Sequence, residues 1–203
     1  VMYPDHGLDA ATLLRHADLA MYQAKNAGRN TYRKYESAMT DRVLLQVSLE
    51  TDLRLALERN EFLVYYQPIH EVVGGNLVGA EALVRWQHPR RGLVPSNDFI
   101  PLAEETGLIR EVGAWVLEWV CRTLGQWQHI GLRIPVSVNL SSVQILRGLT
   151  VGAVRDLLER YDLRSEQLAF EITERVLISD TLQAQRWLEA VREMGIRVDM
   201  DDF

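Results

Sequence analysis

Oxygen-bearing side chains end four successive apolar segments of this chain, and their spacing restricts the fold. They are Glu81, Asn139, Glu171 and Asp201, separated by 58, 32 and 30 residues. Roughly 30 residues is the length of one strand followed by one helix. Polar groups therefore recur at strand ends, as expected for a sheet built from repeated strand–helix units.

The region after Glu61 has the pattern of a hairpin followed by alternating helices and strands. Strands are predicted at 62–69 and 77–86, and the Gly-Gly-Asn turn between them makes this pair antiparallel. The later predicted elements are helices at 97–105, 108–129, 151–161 and 181–194, and strands at 133–139, 167–171 and 196–201. This alternation predicts an α/β fold with a parallel sheet, in a barrel or in an open doubly wound arrangement. Because no glycine-rich phosphate loop follows any strand, a barrel is favoured.

The first 60 residues have a different pattern. A helix is predicted at 9–27, with Asp9 as its N-cap, and a short strand at 31–35. One helix and one strand do not bury a core, so this segment is expected to be the end of a domain. A second helix, at 40–59, is expected to connect two domains. It either packs on the following domain or pairs with its copy in a dimer.

Composition argues against several classes of function. The net charge of −6 disfavours non-specific nucleic-acid binding, which needs a basic surface. Cys121 is the only cysteine, so no intrachain disulfide is possible, and its apolar neighbours predict a buried side chain. No apolar run reaches about 18 residues and no signal peptide is recognisable, which predicts a cytoplasmic location without a membrane segment.

Glu81 lies in an apolar strand, where a carboxylate is costly to bury unless it is paired or binds a metal. Because side chains alternate along a strand, Glu81, Leu83 and Arg85 share one face. A carboxylate for a cation and a guanidinium for a phosphate would then line one pocket. A buried ion pair between Glu81 and Arg85 explains the same residues equally well.

The other strand ends carry groups that bind hard cations but also have ordinary structural uses. Asn139 can supply an amide oxygen to a metal or form a turn at the end of a strand. Glu171 and Glu174 lie in a stretch that could also begin a helix cap. Asp201 and Asp202 are adjacent carboxylates, which repel each other unless a cation neutralises them. Four such strand ends in series favour a site for Mg²⁺ or Mn²⁺.

Short motifs between about Glu61 and Phe203 resemble, in family order, the N-terminal half of EAL domains, the cyclic di-GMP phosphodiesterases. The motifs include Tyr66-Gln67-Pro68-Ile69, Glu81-Ala82-Leu83-Val84-Arg85-Trp86, Val138-Asn139-Leu140-Ser141, Glu171-Ile172-Thr173-Glu174 and Asp201-Asp202-Phe203. The resemblance implies an incomplete, modified TIM (β/α)₈ barrel with an antiparallel first strand. It also implies hydrolysis of one phosphodiester bond of cyclic di-GMP to give pGpG.

The same resemblance implies roles for individual residues. The implied ligands of two divalent cations, Mg²⁺ or Mn²⁺, are Glu81, Asn139, Glu171, Asp201 and, for the second cation or as a bridge, Asp202. The implied substrate-binding residues are Gln67, Leu83 and Arg85, and Glu174 is implied to steady the loop after the last strand. The family's catalytic lysine and general-base glutamate are expected beyond Phe203, so the fragment alone is expected to be inactive.

The first 35 residues resemble the C-terminal tail of a GGDEF (diguanylate cyclase) domain. The matching motifs are Ala17-Asp18-Leu19-Ala20-Met21-Tyr22-Gln23-Ala24-Lys25 and Gly28-Arg29-Asn30. Lys25 and Arg29 lie one helical turn apart, so both could contact the same phosphates, as such a pair does in that family. A solvated basic helix end, favourable to the helix dipole, explains them as well. The Gly-Gly-Asp-Glu-Phe motif does not occur in this sequence, so no cyclase activity is inferred.

These resemblances predict three segments: a GGDEF remnant at 1–36, a helical linker at 37–60 and the truncated EAL domain at 61–203. The parent protein is expected to be a metal-dependent phosphodiesterase acting on cyclic di-GMP. The alternative is a catalytically inactive receptor that binds cyclic di-GMP. A homodimer through the EAL domain or the linker helix is a further possibility, and the parent protein could be anchored in the inner membrane through other regions.

Overall fold

The computed structural model of the chain describes residues 1–26, 30–173 and 182–201. It divides into two compact units, Val1–Asp52 and Leu53–Phe203. Helix α1 spans Ala10–Asn26, and helix α2 spans Ser37–Ala56 and thus begins in the first unit and ends in the second. Both helices were predicted from the sequence, although α2 begins earlier than expected.

Asp9 caps the start of α1, as predicted. Its carboxylate accepts hydrogen bonds from the backbone N–H and from the hydroxyl of Thr12, each at 2.8 Å. The bond from the Thr12 backbone N–H is the main cause that lowers the pKa of Asp9 below its usual value. The carboxylate therefore satisfies a backbone donor that the first turn of a helix leaves without an intrahelical partner.

The prediction of a strand at 31–35 is wrong, because these residues have no regular backbone structure. Across the described part of the first unit there is no other strand with which they could pair. Tyr35 is instead buried against α1. Its ring stacks on His16 at a centroid distance of 3.8 Å, and its hydroxyl lies 2.8 Å from Oγ1 of Thr40. Packing of one aromatic ring thus takes the place of sheet pairing.

The described residues of the second unit contain a mixed, six-stranded sheet. Its strands are β1 (Phe62–His70), β2 (Leu77–His88), β3 (Gly92–Val94), β4 (Val136–Leu140), β5 (Leu168–Thr173) and β6 (Arg197–Asp201). Strands β1 and β3 lie antiparallel to β2, whereas β2, β4, β5 and β6 are parallel. The antiparallel first pair and its parallel continuation confirm the prediction; the short strand β3 was not predicted.

The strand order β1-β2-β4-β5-β6 follows the order along the chain, with β3 paired to β2. An open doubly wound sheet instead reverses its strand order at a switch point. A sequential order is the one that a barrel requires. The described strands therefore favour the barrel arrangement over the doubly wound alternative.

Five α-helices accompany this sheet in the described residues. They are α3 (Ser96–Thr106), α4 (Ile109–His129), α5 (Ser142–Arg147), α6 (Val151–Arg160) and α7 (Leu182–Glu193). Helix α3 packs on β2, α4 packs on β1 and β4, and α7 packs on β6. Four of these helices were predicted and α5 was not; the predicted start of the last helix, at 181, lies outside the described residues.

The two faces of the sheet differ in chemistry, because side chains alternate along each strand. On β4 and β5, one face is apolar and at most 4% exposed: Val136, Val138, Leu140, Leu168, Phe170 and Ile172. The alternate residues, on the opposite face, include Asn139 and Glu171. Burial of the apolar set against the helices thus determines which face the polar side chains occupy.

An aromatic cluster anchors β2 to its neighbours. Trp86 is fully buried and lies with Phe62 of β1 and Phe99 of α3, at ring-centroid distances of 6.2 and 5.8 Å. Its indole N–H donates to a carboxylate oxygen of Glu61 at 2.9 Å. The side chain of Trp86 therefore combines a large apolar contact with a satisfied polar atom, as buried tryptophan requires.

Cys121 in α4 is fully buried, as its apolar neighbours predicted. Burial raises the pKa of its thiol to about 12, so the reactive thiolate form is suppressed. Among the described helices, none combines the length and the apolar character that crossing a membrane requires.

Replacement of Trp86 by alanine should remove the centre of this aromatic cluster. We expect Trp86→Ala to lower the free energy of unfolding by about 3–5 kcal/mol, because it leaves a large cavity and removes the hydrogen-bond donor of Glu61 Oε2. Chemical denaturation followed by circular dichroism measures the loss. Trp119→Ala truncates a partly buried ring of α4 and should lower the free energy of unfolding clearly less than Trp86→Ala does. Equal losses would contradict the central position given to Trp86.

Candidate active site

One face of the sheet gathers most of the residues that the sequence singled out. Cross-strand pairing sets Gln67 opposite Glu81 and sets Glu81 beside Ser137. It also sets Asn139 beside Glu171, and Glu171 beside Asp199. Since paired residues of neighbouring strands point to the same side, these side chains share one face.

Glu81 and Asn139, from neighbouring strands β2 and β4, are in direct contact. The Asn139 amide donates from Nδ2 to Oε1 of Glu81 at 2.8 Å. Glu81 is half-buried and Asn139 is exposed, so both polar ends are accessible from the open side of the sheet. A half-turn of the amide group would present its oxygen in place of its nitrogen. The pair can therefore supply two oxygen atoms to a common ligand.

Arg85 makes its contacts away from Glu81. Its Nη1 donates to the backbone carbonyl of Val84 at 2.9 Å, and its guanidinium lies over the ring of Tyr65, 6.0 Å from the centroid. These contacts favour the interpretation of Glu81 and Arg85 as separate binding groups over that of a mutual ion pair. Arg85 is half-buried on the same face as Glu81, two cross-strand rows farther along β2.

The backbone of Asp201 belongs to β6, beside Thr173 of β5, one alternate position beyond the row of Glu171 and Asp199. Asp201 therefore ends its strand, and its side chain lies outside the described part of the structure. The predicted residues Arg29, Glu174 and Asp202 also lie outside the described residues. Lys25 lies exposed in the last turn of α1, within the first unit.

The sequence patterns did not single out an ion pair at the start of β6. The Arg197 side chain donates from Nε to Oδ2 of Asp199 at 2.7 Å. Both residues lie on the face of Glu171, at alternate positions before Asp201. The alternation of side chains along a strand could have identified Asp199, because it precedes Asp201 by two residues. The pairing places a carboxylate next to Glu171 with its charge compensated by Arg197.

A second feature absent from the predictions holds the chain immediately after Asn139. Ser141 caps helix α5: its hydroxyl accepts from the backbone N–H of Gln144 at 3.4 Å. The side-chain oxygen of Gln144 in turn accepts a hydrogen bond from the backbone N–H of Ser141 at 2.9 Å. Gln144 is buried against Gly113 of α4, where a β-carbon would overlap its amide group. This packing fixes the chain two residues beyond Asn139.

The donor atoms fit a hard divalent cation. Glu81, Asn139 and Glu171 offer carboxylate and amide oxygens, the ligands that Mg²⁺ and Mn²⁺ prefer. Among the side chains that the structure describes, no three from His, Cys, Asp and Glu form a metal-binding cluster. The described set is therefore two carboxylates and one amide, with Asp201 next in the series along the sheet.

Comparison with known proteins identifies the family. The model of the EAL domain family matches residues 50–203, which is more than half of the chain. The chain therefore belongs to the EAL domain family, as the sequence motifs indicated. The prediction of a GGDEF remnant concerns residues before this match and stays a prediction.

Two curated relatives illustrate the similarity. The chain is 40% identical over 203 residues to the bifunctional diguanylate cyclase/cyclic di-GMP phosphodiesterase MucR of Pseudomonas aeruginosa, covering 100% of this chain and 30% of MucR. It is 38% identical over 200 residues to the cyclic di-GMP phosphodiesterase PdeR of Escherichia coli, covering 98% of this chain and 30% of PdeR. The chain thus spans less than a third of the length of either relative.

A solved structure, the PaMucR phosphodiesterase in complex with c-di-GMP, is similar in fold. Its sequence is 39% identical, and its TM-score is 0.73 over 77% of this chain and 64% of that chain. The mixed sheet described above is thus the α/β sheet of an EAL domain.

The packing of Gln144 on Gly113 can be tested by adding one methyl group. Gly113→Ala should lower the free energy of unfolding by about 1–3 kcal/mol, because the new β-carbon collides with the buried Gln144 side chain. Gly152→Ala is the matched control, because its β-carbon would meet only Oγ1 of Thr150 at 3.9 Å. That change should be neutral or stabilise the protein by up to about 1 kcal/mol. Thermal unfolding of both variants measures the difference, and equal shifts would contradict the tight contact.

Proposed function

We propose that this EAL-domain chain carries the cation-binding part of a cyclic di-GMP phosphodiesterase site, and that its parent protein hydrolyses cyclic di-GMP to pGpG. The observation that carries the proposal is the 2.8 Å contact between Glu81 and Asn139, with Glu171 in the next strand on the same face. The names of MucR and PdeR support the same activity. So does the c-di-GMP in the complex of PaMucR.

We expect the proposed cation site to bind Mg²⁺ or Mn²⁺. The complete domain would hold two such cations. Glu81, Asn139, Glu171 and Asp201 would hold the first cation, and Asp202 would bind the second or bridge the two. When bound, such cations lower the pKa of water and offset the negative charge that grows on the phosphate. The supporting observation is the chemistry of the donors, which are oxygen atoms on adjacent strands of one sheet face.

The residues of β1 and β2 would hold the substrate. Arg85 presents a guanidinium suited to a phosphate oxygen, while Gln67 lies directly opposite Glu81 and offers an amide. Leu83 lies between Glu81 and Arg85 on the same strand face and gives an apolar surface. Together they would hold one phosphate between the cation ligands and Arg85. Glu174 would steady the loop that follows β6.

The reaction adds water to one phosphodiester bond. The water oxygen bonds to phosphorus, the bond from phosphorus to one ribose oxygen breaks, and that oxygen takes up a proton. Within this chain, Glu81 and Asn139 would orient the phosphate rather than transfer the proton. In the family, the lysine and general-base glutamate follow the segment that matches this chain.

We extend the proposal to the organisation of the parent protein. Residues 1–36 would be the end of a GGDEF domain, residues 37–60 a helical linker, and residues 61–203 the first half of the EAL barrel. Similarity to the bifunctional cyclase/phosphodiesterase MucR over all 203 residues supports this arrangement. In it, Lys25 and Arg29 would contact phosphates in the cyclase half, and the linker helix or the EAL domain would form a homodimer.

Replacement of Glu81 by glutamine tests the proposed cation site in the full-length parent protein. The change keeps the size of the side chain but removes its charge, so kcat/KM for cyclic di-GMP should fall by about 100-fold or more. Conversion to pGpG, followed by chromatography with Mg²⁺ or Mn²⁺ present, measures the loss. Glu189→Gln, on the exposed surface of α7, is the matched control and should leave the rate unchanged.

The same assay distinguishes the two possible functions of the parent protein, a phosphodiesterase and a receptor for cyclic di-GMP. Wild-type turnover that is lost in Glu81→Gln supports the enzyme. Binding of cyclic di-GMP without any turnover by the wild type would instead support a receptor. Full activity of Glu81→Gln would contradict the assignment of Glu81 as a cation ligand.

A further inference from the structure

An exposed aromatic ring lies between the groups proposed to bind the cation and the phosphate. Three cross-strand pairs follow one another on this face of β1 and β2: Gln67 with Glu81, Tyr65 with Leu83, and Leu63 with Arg85. Tyr65 therefore occupies the row between the carboxylate and the guanidinium. A ligand whose phosphate reaches from one to the other must pass close to this ring.

Tyr65 is one of several large side chains that are exposed on this sheet. Its exposed fraction is 49%, whereas Tyr66, the next residue, is partly buried on the helix side and packs against Trp127 at a centroid distance of 5.0 Å. Stacking of another flat group on the apolar face of an aromatic ring is favourable. Tyr65 thus offers a stacking surface within the site.

The Arg85 guanidinium lies over the ring of Tyr65. The guanidinium carbon lies 6.0 Å from the ring centroid, at the outer limit of a cation–π contact. Arg85 is itself held by its bond to the carbonyl of Val84 at 2.9 Å. A guanidinium and an aromatic ring therefore lie side by side on this face of the sheet.

We propose that Tyr65 is a base-stacking residue that favours a phosphodiester carrying a base, with its ring covering one guanine of cyclic di-GMP while Arg85 holds the adjacent phosphate. The inference rests on the proposed function, which supplies the ligand. Aromatic rings stack on bases of every kind because each base has a π face. Tyr65 would therefore distinguish a dinucleotide from phosphodiesters that lack a base.

The test compares Tyr65→Leu with Tyr65→Phe in the full-length parent protein. Leucine removes the aromatic ring, so the dissociation constant of cyclic di-GMP should rise about 10-fold. Phenylalanine keeps the ring, so its dissociation constant should stay within about twofold of the wild type. Tyr32→Leu, at an 88% exposed tyrosine of the first unit, is the matched control and should change nothing. Calorimetric titration measures all four proteins.

Binding of a ligand without a base distinguishes the loss of stacking from general damage to the binding site. Inorganic phosphate, as a competitor of cyclic di-GMP, should keep its inhibition constant within about twofold in Tyr65→Leu, because it contacts no ring. If KM rises while kcat at saturation is little changed, the ring acts in binding. Should the leucine variant fail to fold, Tyr65→Thr gives the same comparison with a residue favoured in strands.

The outcomes are distinct. Unchanged affinity of Tyr65→Leu for cyclic di-GMP overturns the inference alone, and so does an equal loss in Tyr65→Phe. An equal weakening of inorganic phosphate would also overturn it, because the ring would then act through Arg85. A wild-type protein that binds no cyclic di-GMP contradicts the proposed function itself.

Discussion

The register between neighbouring strands is the constraint on which the site depends. Pairing of Glu81 with Ser137, and of Asn139 with Glu171, brings donors from three strands to one face. A shift of one residue would turn every one of these side chains into the helix-covered core. The buried residues Val138 and Phe170 oppose such a shift, because it would expose them to water. Hydrophobic burial on one face thus fixes the polar chemistry on the other.

The helices contribute to the site from behind the sheet. Gln144 caps α5 and packs on Gly113 of α4, so that the chain leaves β4 in a fixed direction just after Asn139. Trp86 anchors the end of β2, one residue beyond Arg85. Residues that never face the ligand therefore determine how accurately the binding groups are placed.

Much of this arrangement could be predicted from the chain alone. The positions of Asn139 and Glu171 near the ends of β4 and β5 followed from apolar runs and their spacing, because burial imposes a local period. The expected strand-end position of Glu81 was wrong, because Glu81 lies inside β2, seven residues before that strand ends. The contacts of Gln144 with Gly113 could not, since they join residues far apart in sequence through tertiary packing. The strand expected at 31–35 failed for the same reason: alternation is a local signal, but a strand needs a partner. The place of Tyr65 needed the hairpin register, which sequence spacing alone leaves open.

The central claim is that Glu81, Asn139 and Glu171 together hold a divalent cation. Titration of the parent protein with Mn²⁺, followed by electron paramagnetic resonance, measures that binding without any need for turnover. The account predicts a saturable site whose affinity falls at least about 10-fold in Asn139→Leu, which keeps the size but removes the amide oxygen. The absence of a saturable Mn²⁺ site, or equal affinity in Asn139→Leu, would contradict it.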